Sequence, residues 1–154
     1  MKYITLILLL ITTTSCDNVV QDSPFLKYEL EVASELGIKQ EHLYIPILFS
    51  KDLTGNTNAI CRLHITKDYG VQILVNRDKW TSMDEPTRLG LIAHEMMHCY
   101  HGYAHVEHPI HRYGTLMSPY TSDSSMCIKE LGLSYCIQEA HKHLLDGLLQ
   151  SLFK

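Results

Sequence analysis

No run of lysine and arginine interrupts this chain of 154 residues, and its formal net charge is -4. A phosphate-binding face is therefore not expected, and neither is a nucleic-acid partner. There is no CxxC pair, the usual beginning of a cysteine-built zinc site. No apolar run approaches the roughly 20 residues that a bilayer-spanning helix needs; the stretch from Tyr3 to Ile11 falls well short. Internal repeats and low-complexity segments are missing too, which excludes solenoids and arrays. What remains is one domain with the 45% apolar content of an ordinary soluble protein. Histidine is in excess: there are 10, six of them between His94 and His111. That concentration points to metal chemistry or pH sensing.

The first residues read as an address. Lys2 supplies a positive charge, Tyr3 to Ile11 an apolar core, and Thr12 to Ser15 a small polar stretch that ends at Cys16. A plain secretory signal would look like this. The sequence also resembles a bacterial lipoprotein signal, in which residues 1–15 are cleaved and Cys16 carries the lipid. Thr13 departs from that pattern, where leucine is usual. Either reading places the mature domain outside the cytoplasm. The lipoprotein reading anchors it by lipid at a cell-envelope membrane, facing the periplasm or exterior. Residues 16–23 would form a short tether and 24–154 the functional domain. Nothing between Asp17 and Ser23 resembles a pro-segment, so cysteine-switch latency is not expected.

Cys61, Cys99, Cys127 and Cys136 remain. An even count in an oxidising compartment reads as up to two disulfides, and spacing does not choose among the three pairings. Ser23-Pro24 opens a helix with an apolar stripe at Leu26, Leu30, Ala33 and Leu36, closed by Gly37. Leu43 to Phe49 is a strand candidate pushed toward an edge by Pro46. Ala59 to Thr66 and Val71 to Asn76 read as strands around a hairpin turn at Lys67-Asp68-Tyr69-Gly70. Val71 to Asn76 is either a core strand or an edge that pairs with an extended peptide. Ser82 with Glu85 resembles a capping box, and Asp84 is an equally good cap before Pro86. A helix face then follows at Leu89, Ile92, Ala93, Met96 and Met97. Pro109, Gly114 and Pro119 mark a long loop after Gly102. Ser134 to Phe153 is a closing helix whose stripe of Ile137, Ala140, Leu144, Leu148 and Leu152 faces the core.

On the central helix the chain reads His94-Glu95-Met96-Met97-His98. Residues four apart lie one above the other, so both imidazoles can reach one ion at a separation that tetrahedral zinc accepts. Glu95 beside them can take a proton from a water on that ion, which is the mechanical meaning of H-E-x-x-H. Two surface histidines satisfy the motif without any metal, so a third ligand must be found. Were the helix to run on, His101 would lie about 10 Å and His105 about 16 Å along the axis from His94. Neither could share the ion. Gly102 supplies the stop, and three residues later His105 is the favoured third ligand. His108 and His111 follow it, with Glu107 weaker still. His101 is then an outer partner of the ion or a substrate-side residue.

These residues resemble the metzincin peptidases, which carry HExxHxxGxxH and a later turn with a methionine beneath the metal. Gly114-Thr115-Leu116-Met117-Ser118-Pro119-Tyr120 looks like that turn, with Met117 in the floor. One residue is inserted before Gly102 relative to the metzincin pattern. A nearer likeness is to small bacterial secreted or lipid-anchored zinc metallopeptidases with a HELGHCxLxRxH-type segment and a SIMNP-type turn. His94, Glu95, His98, Cys99 and His105 align with it ungapped, and Leu116 to Pro119 match the turn. Cys61 and Trp80 resemble an upstream strand cysteine and a tryptophan of that group. Met97, His101 and Tyr103 depart from it, where glycine, leucine and arginine are usual.

The likeness covers roughly residues 59 to 120. It implies Cys61–Cys99 and Cys127–Cys136 disulfides. It also implies a hydrogen bond from Tyr120 to the oxyanion, although Tyr120 lies three residues past the methionine rather than two and reads first as structural. The implied fold is α+β and zincin-like: a small mixed or antiparallel sheet, an active-site helix and a C-terminal helix. The implied activity is zinc-dependent peptide hydrolysis, with one catalytic Zn2+ and a peptide or protein substrate. Two other readings stand beside it. A non-catalytic lipoprotein could sequester zinc through the histidine-rich loop, with no need for Glu95. A structural or adhesive surface protein could carry histidines that simply titrate near pH 6.

Overall fold

A computed structural model describes residues 23–63, 70–106 and 114–152. It is a mixed α+β domain of five helices and a three-stranded sheet. Helix α1 (Leu26–Glu35) follows Ser23, whose Oγ accepts from the Phe25 N–H. The expected stripe holds in part: Ala33 is buried and Leu36 packs against the core, but Leu30 is exposed, and Phe25, Tyr28 and Val32 supply the rest of the buried face. The reason is an aromatic cluster. Phe25 and Tyr28 meet Trp80 edge to face, a geometry that adds to area burial.

Strands β1 (Ile47–Ser50), β2 (Ala59–Arg62) and β3 (Gln72–Asn76) form a sheet in the order β1-β3-β2. β1 runs parallel to β3, and β2 runs antiparallel to it. Pro46 lies just before β1 and lends only its carbonyl, to Ile73 N–H. β3 is thus the central strand, with Ile73 and Val75 fully buried. Its pairing on both sides removes it as a substrate-pairing edge, and the edges are β1 and β2. The expected hairpin turn at 67–70 falls almost wholly outside the described residues.

Asn76 caps a short helix that sequence patterning did not foresee, α2 (Arg77–Ser82), accepting from the N–H groups of Asp78 and Lys79. Asp84, not Ser82, caps α3 (Glu85–His101), accepting from Thr87 N–H. α3 is the spine. Its N-terminal Glu85 accepts from Tyr28 and Lys27 of α1, and residues Leu89 through Met97 are all buried. α4 (Thr121–Leu131), which the loop signals hid, lies against α3, and α5 (Leu133–Leu152) closes the chain. Only the first half of α5 meets the core: Ile137 and Ala140 are buried, whereas Leu144 is 37% and Leu148 53% exposed. The side chain of Leu152, and Phe153, lie outside the described set. Among the described residues no helix is long and apolar enough to cross a membrane.

Gly114 has no substitute. Its φ is +78, and a Cβ there would lie 2.7 Å from Asp123 Cβ and 2.8 Å from that residue's backbone Cα and O. Gly114→Ala is expected to destabilise by about 3 kcal/mol or more, lowering the Tm by about 6–12 °C for a domain of this size. Thermal unfolding by circular dichroism measures it. A shift under about 2 °C would show that the turn relaxes.

Candidate metal centre

Three imidazoles converge where α3 ends. His94 and His98 stand one turn apart on the helix. Gly102, at φ +67, stops it and donates its N–H to His98 O. The chain then doubles back through Tyr103 and Ala104 to His105. Val106 N–H donates to Met117 O at 2.9 Å, fixing this return against the turn at Thr115–Ser118. Met117 is buried.

The Nε2 atoms are 2.9 Å apart between His94 and His98, and 3.1 Å from each of these to His105. An ion bound tetrahedrally at about 2.0–2.1 Å holds its nitrogens about 3.3 Å apart, close to this triangle. The proton positions follow from the other side of each ring. His94 Nδ1 lies 2.7 Å from Leu116 O, and His98 Nδ1 meets Tyr103 O. A carbonyl only accepts, so both rings carry hydrogen on Nδ1 and turn bare lone pairs inward. Burial opposes a second proton on either: it pushes His94 down to about 4 and lowers His98. Facing lone pairs at such separations call for a cation. His94, His98 and His105 are the group among the described residues that could hold one. Imidazole suits several first-row ions.

Backbone acceptors behind metal-ligating imidazoles fix ring orientation, and here they are themselves held. Leu116 O also accepts from Ser124 Oγ of α4 at 2.9 Å. Tyr103, buried, hydrogen-bonds His141 of α5 through its hydroxyl. His101 packs against Tyr103 and His141 rather than joining the triad. Burial, then the nearby His141, lower its pKa.

The triad opens onto a cleft of about 900 Å3. One wall is β2 with Asn58; the other is Ser118, Pro119 and Tyr120, a residue 67% exposed. Glu95 lies in the cleft beside the histidines, only 5% exposed. Burial pushes its carboxyl up to about 7, against the lowering effect of a hydrogen bond from the Cys61 backbone. That amide is available for a topological reason. Asn76 N–H donates to Asn58 O, and Ala59 pairs with Val75. Antiparallel pairs alternate, so Ala59 and Cys61 turn their N–H and C=O groups away from β3, to the free edge.

Cysteines pair as the resemblance implied, Cys61 with Cys99 and Cys127 with Cys136. The first joins β2 to α3, and the second α4 to α5. Cys16, Glu107, His108 and His111 lie outside the described residues. Sequence reasoning did not foresee Leu116 O, Tyr103 O, Ser124, His141 or the Cys61 amide. Three of these five act through backbone atoms, which no side-chain pattern marks. Comparison of the chain with family models, with curated proteins and with solved structures finds no match in any of the three.

Proposed function

We propose that this is a zinc-dependent peptidase of zincin-like fold, related to the small bacterial secreted or lipid-anchored metallopeptidases and tethered outside the cytoplasm by lipid on Cys16. The observation that carries the reading is Glu95, a buried carboxylate in a cleft between three convergent imidazoles and the free edge of a strand. A sequestering protein has no use for an acid so placed, where desolvation penalises its charge.

His94, His98 and His105 would hold the ion. Zinc, when bound, lowers the pKa of a coordinated water toward about 7 and polarises a carbonyl oxygen. Glu95 takes the proton of the attacking water onto its carboxylate. As the C–N bond breaks, it returns that proton to the departing amine nitrogen. The outward N–H and C=O groups of Ala59 pair with an extended peptide, adding it as a strand beside β2. Tyr120 on the opposite wall offers a phenol O–H to the carbonyl oxygen as charge develops there.

Elemental analysis of the purified mature domain tests this beside hydrolysis of a mixed fluorogenic peptide library. The expected result is one zinc per chain, with cleavage that a chelator abolishes and added zinc restores. Several weakly held ions, or a fully loaded protein inert toward every peptide, would favour the sequestering reading.

A further inference from the structure

We propose that His141, on the last helix, is a positioning residue for the metal centre, holding Tyr103 so that the Tyr103 carbonyl orients His98. This rests on the three imidazoles as the metal site and not on peptide hydrolysis. Three links lead from the triad to α5. His98 Nδ1 donates to Tyr103 O. The hydroxyl of that same tyrosine hydrogen-bonds His141 Nδ1, and the two rings meet edge to face with centroids 5.4 Å apart. His141 stands one turn past Ile137 on α5, on the same face. That part of α5 is firmly seated: Cys136, Ile137 and Ala140 are buried, and Cys136 is bonded to Cys127 of α4. The support at the far end is thus fixed without help from Tyr103.

Tyr103 is the pivot of the return segment. Of residues 101–105 it alone is buried, so its ring seats the short stretch between the end of α3 and the third ligand. Its own N–H makes a long bond of 3.3 Å to Met97 O, a weak hold on the peptide. Val106 N–H to Met117 O fixes the segment from its far side; Tyr103 must fix the near side. Two ligands depend on that seat, since His98 takes its orientation from Tyr103 O and His105 lies two residues on. The carbonyl behind His94 is held differently. Leu116 O accepts from Ser124 Oγ directly, whereas Tyr103 is held through its own side chain. Groups behind metal-ligating imidazoles change metal affinity by about 10–100-fold, and His141 acts on one of them at one remove.

The test uses the full-length protein, zinc and a competing chromophoric chelator. Tyr103→Phe, which removes one hydroxyl and keeps the ring, is expected to bind zinc about 10-fold more weakly, still at one ion per chain. His141→Ala should lose as much, and the double variant no more than either, because both remove the same contact. His141→Asn keeps a hydrogen-bonding amide near the place of Nδ1 and should recover most of the affinity. His143→Ala, on the same helix, should bind as the wild type does. Coupling between sites is reciprocal. Zinc should therefore slow amide exchange over residues 133–141, a stretch that supplies no ligand to the triad, and the slowing should vanish in Tyr103→Phe. Unchanged affinity in Tyr103→Phe, losses that add in the double variant, or exchange in α5 indifferent to zinc would each overturn the proposal and leave the triad as the metal site. A wild type that binds no stoichiometric zinc removes both.

Discussion

His105→Ala is expected to abolish stoichiometric metal binding at the histidine triad while leaving the fold standing. His105 is exposed, contributes no side chain to the core, and sits on a return segment whose backbone is fixed independently by Val106 N–H to Met117 O. Its removal therefore costs little packing. The metal site is another matter, because two imidazoles of one helix remain where three had converged. Loss of an outer partner alone costs about 10–100-fold in metal affinity, so loss of a ligand should exceed that. Competition with a chromophoric chelator measures the affinity, and dialysis followed by elemental analysis measures the content. The His101→Ala variant is the control, since His101 packs on Tyr103 and His141 and lies outside the triad. Unchanged zinc in the His105→Ala protein would move the third ligand to His108, His111 or Glu107.

The legible part of this site was the part encoded by local periodicity. Residues four apart share a helix face whatever surrounds them, and a glycine after the last turn stops the helix. His94, His98 and the return to His105 are therefore written in about a dozen consecutive residues. What orients the rings was not legible. Leu116 and Tyr103 act through carbonyl oxygens, which every residue has. Only the folded chain says which of them face an imidazole.

The same division runs through the fold. That Gln72–Asn76, within the expected Val71 to Asn76, forms a strand follows from its β-branched and apolar content. That it is central depends on two partners up to 26 positions away in its register, information absent from the strand itself. Helix α4 was hidden because Pro109, Gly114 and Pro119 mark a loop up to its start, and its first turn, Thr121 to Ser124, is polar and carries no apolar stripe. In the structure Asp123 accepts from Ser118 Oγ, and Ser124 donates to Leu116 O. Polar residues that signal a turn in isolation are here the links between a helix start and the turn behind the histidines. In α1 the expected stripe was right at Ala33 and Leu36 but not at Leu30, since Tyr28 and Phe25 take the place against Trp80.

Glu95→Gln should separate function from stability in opposite directions. The amide matches the carboxylate in shape but cannot hold the proton, so kcat/KM is expected to fall by about 10²- to 10⁴-fold with one zinc retained. Stability of the metal-free protein should rise. Burial moves the Glu95 carboxyl from an ordinary value of 4.5 to about 7, which penalises its ionised form by about 3 kcal/mol. Because the folded-state value is the higher one, folding favours the protonated acid. The stability it lends is complete below about 4.5 and is lost as pH rises through about 7. His94 has the opposite sign: burial lowers it from 6.5 to about 4, so its contribution is present above 6.5 and lost as pH falls toward 4. Without a cation the site is strained at either end of that range, and one bound ion relieves both groups by accepting neutral imidazole and attracting the carboxylate. Urea unfolding of the metal-free proteins at pH 8 should therefore place the Glu95→Gln variant above the wild type by up to about 3 kcal/mol. The gap should close below pH 4.5 and shrink when zinc is present. Full hydrolytic activity in a zinc-loaded Glu95→Gln protein would remove Glu95 from the mechanism. A variant no more stable than the wild type at pH 8 would show that burial does not hold the Glu95 carboxyl above its ordinary range.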